Sequence, residues 1–248
     1  MLSTKIICTI GPASNSPKKL AELAEAGMNI ARLNFSHGTH HAHKKIIEQI
    51  RKLNKDRQYP IAIMLDTQGP EIRTGDKVIT LISGKRVCVT IPPNEESEGT
   101  LFVNYVDLKD DLKEGSCISL DGGLISLKVC GKNKKGLDCE VIDGGVVKAH
   151  RHVNLPGAIV KLPGITETDK QDILFGIEQK VDVIALSFVR SSETIREVRA
   201  SLGVHAQQIK LIAKIENQEG VERLEEIVQE ADGVMVARGD LGIEVELE

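Results

Sequence analysis

QIKLIAKIEN, Gln208–Asn217, is a short run of apolar and β-branched residues that ends in a lysine, a carboxylate and an amide. Such a run predicts a strand covered on both faces, as in a parallel sheet. Strand side chains alternate between faces, so Lys214 and Glu216 point the same way. A cation and a carboxylate leaving a core strand together are costly unless they pair or hold something. A metal with an anionic substrate uses both groups. A Lys–Glu pair at a sheet rim is the plainer reading, and the rest of the chain decides between the two.

Five further runs have the same character: Lys5–Gly11, Met28–Asn34, Ile61–Asp66, Val181–Ser187 and Gly233–Gly239. Helix-like segments lie between most of them. Lys18–Ala26 places Leu20, Leu23 and Ala24 on one face and closes on Gly27. Thr39 is placed to cap a helix carrying Ile46, Ile47, Ile50 and Leu53, and Thr194–Leu202 and Val221–Ala231 follow the same pattern. Strands alternating with helices, with polar strand ends on one rim, predict an α/β fold of the (β/α)8 TIM-type barrel class. Residues 71–157 break the rhythm. Glycine turns there separate short β-like runs (Lys77–Ile82, Arg86–Ile91, Ser116–Leu120, Leu124–Val129, Leu137–Ile142), and Asp121-Gly122-Gly123 and Asp143-Gly144-Gly145 are hairpin signals. The expectation is a small all-β, barrel-like domain at 71–157, inserted after strand three of a discontinuous barrel domain at 1–70 and 158–248. Only about six of eight βα units are present, so the barrel is expected not to close without further chain or a partner.

The 248 residues are 41% hydrophobic and 27% charged, an ordinary globular balance. A net charge of -4 with no dominant basic face argues against nucleic-acid binding. Five cysteines without C-x-x-C spacing predict a reduced, cytoplasmic protein rather than a disulfide framework. The start is too polar for a signal peptide, and no run reaches the ~18 apolar residues of a membrane span. There is no G-x-x-x-x-G-K-[ST] loop and no G-x-G-x-x-G after the first strand.

Other strand ends also carry chemistry. Arg32, Asn34 and Ser36 share one face, a guanidinium suited to phosphate followed by two neutral oxygens suited to a monovalent cation. Asp66–Arg73, DTQGPEIR, turns at Gly69-Pro70 and brings two carboxylates and an arginine to the same rim. Asp240 supplies another carboxylate, and with Glu216 it makes an oxygen pair for Mg²⁺. His37, His40, His41 and His43 cluster at a helix start; a solvated helix end is the preferred reading over a metal site. Lys132-Asn133-Lys134-Lys135 reads as a solvated hairpin tip.

Together these segments resemble the pyruvate kinase family. The matching stretches are KIICTIGPAS (Lys5–Ser14), MNIARLNFSHG (Met28–Gly38), DTQGPEIRTG (Asp66–Gly75), VNLPG (Val153–Gly157), DVIALSF (Asp182–Phe188), KIEN (Lys214–Asn217) and GVMVARGDLGIE (Gly233–Glu244), in family order. The resemblance implies a glycolytic phosphotransferase that converts phosphoenolpyruvate and ADP to pyruvate and ATP through a Mg-bound enolate. It implies Mg²⁺ (or Mn²⁺) on Glu216 and Asp240, and K⁺ among Asn34, Ser36, Asp66 and Thr67. Lys214 and Arg32 would be catalytic and substrate-binding, with Ala237, Arg238, Gly239 and Asp240 completing the substrate site. Arg73, Arg151 and Asn34 would serve the nucleotide, and Glu71 resembles the potassium-requiring form. The sequence departs at Gln68, where many members carry lysine, and at Ala149-His150-Arg151-His152, where lysine-lysine-glycine is commoner. The resemblance further implies a homotetrameric parent enzyme, no nucleic-acid partner and no membrane. Two other readings stand beside it: a Mg-dependent carbon–carbon lyase acting on pyruvate-like enolates, and a non-catalytic ligand-binding fragment with negligible turnover.

Overall fold

The computed structural model describes residues 4–94 and 96–245. The chain opens with β1 (Ile6–Thr9), α1 (Pro17–Glu25), β2 (Met28–Asn34), α2 (His40–Asn54) and β3 (Ala62–Asp66). Short elements follow: β4 (Ile79–Leu81), β5 (Arg86–Thr90), β6 (Thr100–Phe102), α3 (Leu108–Asp111), β7 (Cys117–Leu120), β8 (Ile125–Lys132), β9 (Gly136–Asp143), β10 (Gly145–Val147) and β11 (Val153–Asn154). The alternation then resumes with α4 (Glu167–Glu178), β12 (Val183–Leu186), α5 (Ser192–Ser201), β13 (Lys210–Ile215), α6 (Gln218–Glu222), α7 (Leu224–Glu230), β14 (Gly233–Val236) and α8 (Arg238–Glu244). Two compact units result. The first takes the chain up to Pro70, Gly164–Ile215 and Arg223–Val236; the second takes Glu71–Pro163, Glu216–Glu222 and the segment from Ala237 onward.

The first unit is a wholly parallel sheet of six strands in the order β1-β2-β3-β12-β13-β14. Neighbours in sequence are neighbours in space, as in a singly wound barrel wall, here a partial TIM-type barrel. Alternation sorts its residues. Ile30, Met64, Val183, Ala185, Ile212 and Met235 pack together on one face. Residues one position off, such as Leu65 and Ile184, face the helices, where α4 approaches through Gly176. The expected helices form for the expected reasons. Thr39 caps α2 by accepting from the Ala42 N–H at 3.2 Å, and α1 ends before Gly27, whose φ is +105°. The expected helix at Val221–Ala231 is instead two short pieces, α6 and α7. Asn217 accepts from the Gly220 N–H at 2.8 Å and starts the first piece early, and Gly220 weakens its continuation.

The second unit is β-rich. A six-stranded sheet runs β11-β7-β8-β9-β5-β6, antiparallel except for the parallel β5–β6 pair, beside a two-stranded β10-β4 sheet. Its core is aliphatic, with Val89, Ile118, Leu120, Leu127 and Leu137 fully buried. The turn after Asp121 is a hairpin joining β7 and β8, and Lys132–Lys135 lies in the β8–β9 hairpin, where Asn133 Oδ1 accepts from the Lys135 and Gly136 amides. Asp143-Gly144-Gly145 is not a hairpin. The chain passes there from β9 to β10, which pairs with β4, and Gly144 is required because a Cβ would lie 2.6 Å from the Leu81 carbonyl oxygen.

Candidate active site

In the first unit the C-terminal ends of β2, β3, β12 and β13 bring four polar groups into one buried network. Asp66 is its hub and is 1% exposed. Arg32 Nε donates to Asp66 Oδ2 at 2.7 Å, and its Nη2 donates to the same oxygen. Arg32 Nη1 donates to Thr9 Oγ1 at 2.8 Å, which fixes the guanidinium plane. Lys214, 7% exposed, lies 3.3 Å from Asp66 Oδ1 and donates to Ser187 Oγ at 2.7 Å. Ser187 Oγ in turn donates to the Thr67 carbonyl at 2.7 Å, and the Ser187 N–H donates to Thr67 Oγ1 at 3.1 Å. One carboxylate thus holds two cations side by side.

The residues read as cation ligands have the donor set for a monovalent ion. Asn34 is paired in register with Asp66 across β2 and β3, and its Oδ1 accepts from the Ser36 N–H at 3.0 Å. Asp66 Oδ1 is buried and makes no hydrogen bond, and it is the oxygen facing the Lys214 ammonium. Amide, hydroxyl, carbonyl and carboxylate oxygens of this kind fit K⁺. His37, His40 and His41 are exposed, as at a solvated helix end, and His43 is the exception. His43 is buried, donates from Nε2 to the His37 carbonyl at 2.9 Å and stacks on Phe35 with centroids 4.1 Å apart. Burial holds its pKa below the usual histidine value. His40 pairs with Asp172 at 2.5 Å.

In the second unit Glu216 is fully buried, directly after β13, and Asp240 lies in the first turn of α8. Both act on Glu244, whose carboxyl pKa is raised, first by burial and then by repulsion from Asp240 and Glu216. Asn154 Nδ2 offsets part of this by donating to Glu244 Oε1 at 2.6 Å. Glu244 is thus within electrostatic reach of two further carboxylates, a repulsion that a divalent cation would relieve, and Mg²⁺ commonly takes one or two such groups. No cluster of three or more His, Cys, Asp or Glu forms a ready-made metal cage among the described residues. Arg73 is held by Glu71, Nε to Oε2 at 2.7 Å, and by the His150 carbonyl at 2.8 Å. Arg151 Nη1 donates to Asp121 at 3.3 Å, and its backbone N–H donates to Thr74 Oγ1. Burial lowers the pKa of His152, with Glu71 and Asp240 opposing. The backbone of Ala237, Arg238 and Gly239 begins α8.

Sequence reasoning placed Arg32, Asp66 and Lys214 correctly at strand ends but missed Ser187, the residue that ties Lys214 to Thr67. Its signal was present: Ser187 ends an apolar run in the same way that Asp66 does.

A parallel wall with cations and carboxylates at its C-terminal strand ends belongs to the TIM-barrel class, here in part. Comparison with known proteins narrows it. The family description "Pyruvate kinase, barrel domain" matches residues 1–248, and the chain belongs to that family. It is 48% identical over 251 residues to a pyruvate kinase of Sporosarcina psychrophila, with 99% of this chain and 43% of that protein covered. Pyruvate kinases of Geobacillus stearothermophilus, 49% identical over 251 residues, and of Staphylococcus aureus strain MRSA252, 48% over 250, give the same coverage of 99% and 43%. The chain therefore spans less than half the length of these relatives. Among the described residues, no helix is long and apolar enough to cross a membrane.

Proposed function

We propose that this chain carries most of the active site of a cytoplasmic phosphotransferase acting between phosphoenolpyruvate and ADP. The observation that carries the reading is the buried Arg32–Asp66–Lys214–Ser187 network. Phosphoryl transfer requires cations placed around a migrating negative charge, and little covalent work by the protein. Asp66 holds the Arg32 guanidinium and the Lys214 ammonium in place, so Arg32 binds the phosphate and Lys214 stabilises the phosphoryl group in transit. Burial of Asp66 and Lys214 strengthens the interaction between them. Asn34, Ser36, Asp66 and Thr67 would hold K⁺. Glu216 and Asp240 would hold Mg²⁺ (or Mn²⁺), which when bound neutralises enolate and phosphate oxygens. The amides of Ala237, Arg238 and Gly239 receive the substrate carboxylate, while Arg73 and Arg151 meet nucleotide phosphates, with residues 71–157 acting as the lid.

Calorimetric titration with oxalate, an enolpyruvate mimic, tests this. Binding that requires Mg²⁺ and is lost in Glu216→Gln is expected. Binding indifferent to both would contradict the reading. Dependence of that binding on K⁺ separates it from a carbon–carbon lyase, which has no use for the Asn34 and Ser36 oxygens.

A further inference from the structure

Helix α4 contributes no residue to the sites above, yet its first two turns reach both loops that carry the cation-ligand residues. Asp169 is fully buried. Its Oδ1 accepts from the Gly69 N–H at 2.9 Å, two residues beyond Thr67. Its Oδ2 closes the capping box of the helix, accepting from Thr166 N at 3.0 Å and Thr166 Oγ1 at 2.6 Å. Gly69 itself has φ +77°, and a Cβ there would lie 2.8 Å from Ser187 Cβ and 3.0 Å from the Ser187 carbonyl oxygen. The turn that Asp169 holds is therefore pressed against the serine that binds Thr67 and Lys214. Three residues on, and so on the same helix face, Asp172 takes His40 at 2.5 Å. One turn further, Phe175 packs on Phe35 at 5.8 Å and stacks on His40 at 4.4 Å. Phe35 lies between Asn34 and Ser36.

We infer that the Asp169 carboxylate, supported by Asp172 and Phe175 on α4, is the positioning residue that sets the spacing of the two loops presenting the monovalent-cation oxygens. This rests on the reading of Asn34, Ser36, Asp66 and Thr67 as K⁺ ligands. Asp169 touches neither the ion nor substrate; it acts through the Gly69 amide. A helix cap needs only the Thr166 contacts. A carboxylate that spends its other oxygen on an amide 100 residues away in sequence has a second task.

The test separates the two tasks. Thallium(I), a K⁺ substitute visible by NMR, is titrated into the wild-type chain, Thr166→Ala and Asp169→Ala, with Tm measured for each. Thr166→Ala removes the cap hydroxyl and leaves the Asp169–Gly69 bond in place. Both variants are expected to lose Tm on the order of 2–8 °C. Only Asp169→Ala is expected to weaken thallium binding, by about 10–100-fold. Should Asp169→Ala fail to fold, Asp169→Ser, whose shorter side chain withdraws the acceptor from the Gly69 N–H while leaving a hydroxyl near Thr166, gives the same comparison with Thr166→Ala. Equal thallium affinity in the wild type and both variants overturns this inference and leaves the cation site standing. No thallium binding by the wild type overturns the cation site itself, and this inference with it.

Discussion

Asp66 and Glu244 are both carboxyl groups withdrawn from water, one in each compact unit, and the chain surrounds them in opposite ways. Asp66 has a guanidinium on one oxygen and an ammonium beside the other. Glu244 has one amide donor and two further carboxylates, Asp240 and Glu216, within electrostatic reach. In the first unit one carboxylate faces two cations, so an excess positive charge is held within the polypeptide. In the second, carboxylate faces carboxylate, and the proposed Mg²⁺ would relieve that repulsion. A carboxylate at a strand end thus says little until its neighbours are counted.

The contrast is broken most severely at Asp66. Asp66→Asn removes the charge that both Arg32 and Lys214 face, and a buried ion pair broken on one side costs about 3–5 kcal/mol. A clear fall in the urea midpoint at neutral pH, with no change in slope, is expected. Glu244→Gln acts the other way. With the folded pKa above the ordinary 4.5, the ionised carboxylate costs stability at neutral pH. That cost disappears as pH falls through the raised value towards 4.5. Glu244→Gln is expected to be more stable than the wild type at pH 7, with the difference vanishing below 4.5, read as urea midpoints across a pH series. The smallest effect lies at His43. Its folded pKa is below 6.5, so the wild type loses stability as pH falls from 6.5 through the lowered value. His43→Gln, which keeps a donor for the His37 carbonyl, should flatten that slope. Asp172, with its pKa raised chiefly by burial, contributes at lower pH and is common to both proteins.

The parallel wall was legible because each of its strands is a self-contained apolar run, and alternation alone puts Arg32, Asp66 and Lys214 on the interior face. The β-rich unit was legible only in part. Thr100–Phe102 is three residues long and is a strand because β5 lies beside it, which no local pattern records. Asp143-Gly144-Gly145 misled because a turn signal gives the bend but not the partner, and the partner β4 lies more than sixty residues upstream. The networks were the least legible. Lys214 was read in sequence beside Glu216, two residues away, and no local pattern records that it also faces Asp66, from a strand two places along the sheet. Asp169 reads as an ordinary capping residue, and its bond to Gly69 exists only once α4 has packed.

The most direct test of the division between the two carboxylate environments is a Mn²⁺ titration followed by electron paramagnetic resonance. Wild type, Asp66→Asn and Glu216→Gln are compared under conditions where all three are folded. The account predicts one Mn²⁺ site that Glu216→Gln abolishes and Asp66→Asn retains within a few-fold. Mn²⁺ binding that survives Glu216→Gln and is lost in Asp66→Asn would contradict it.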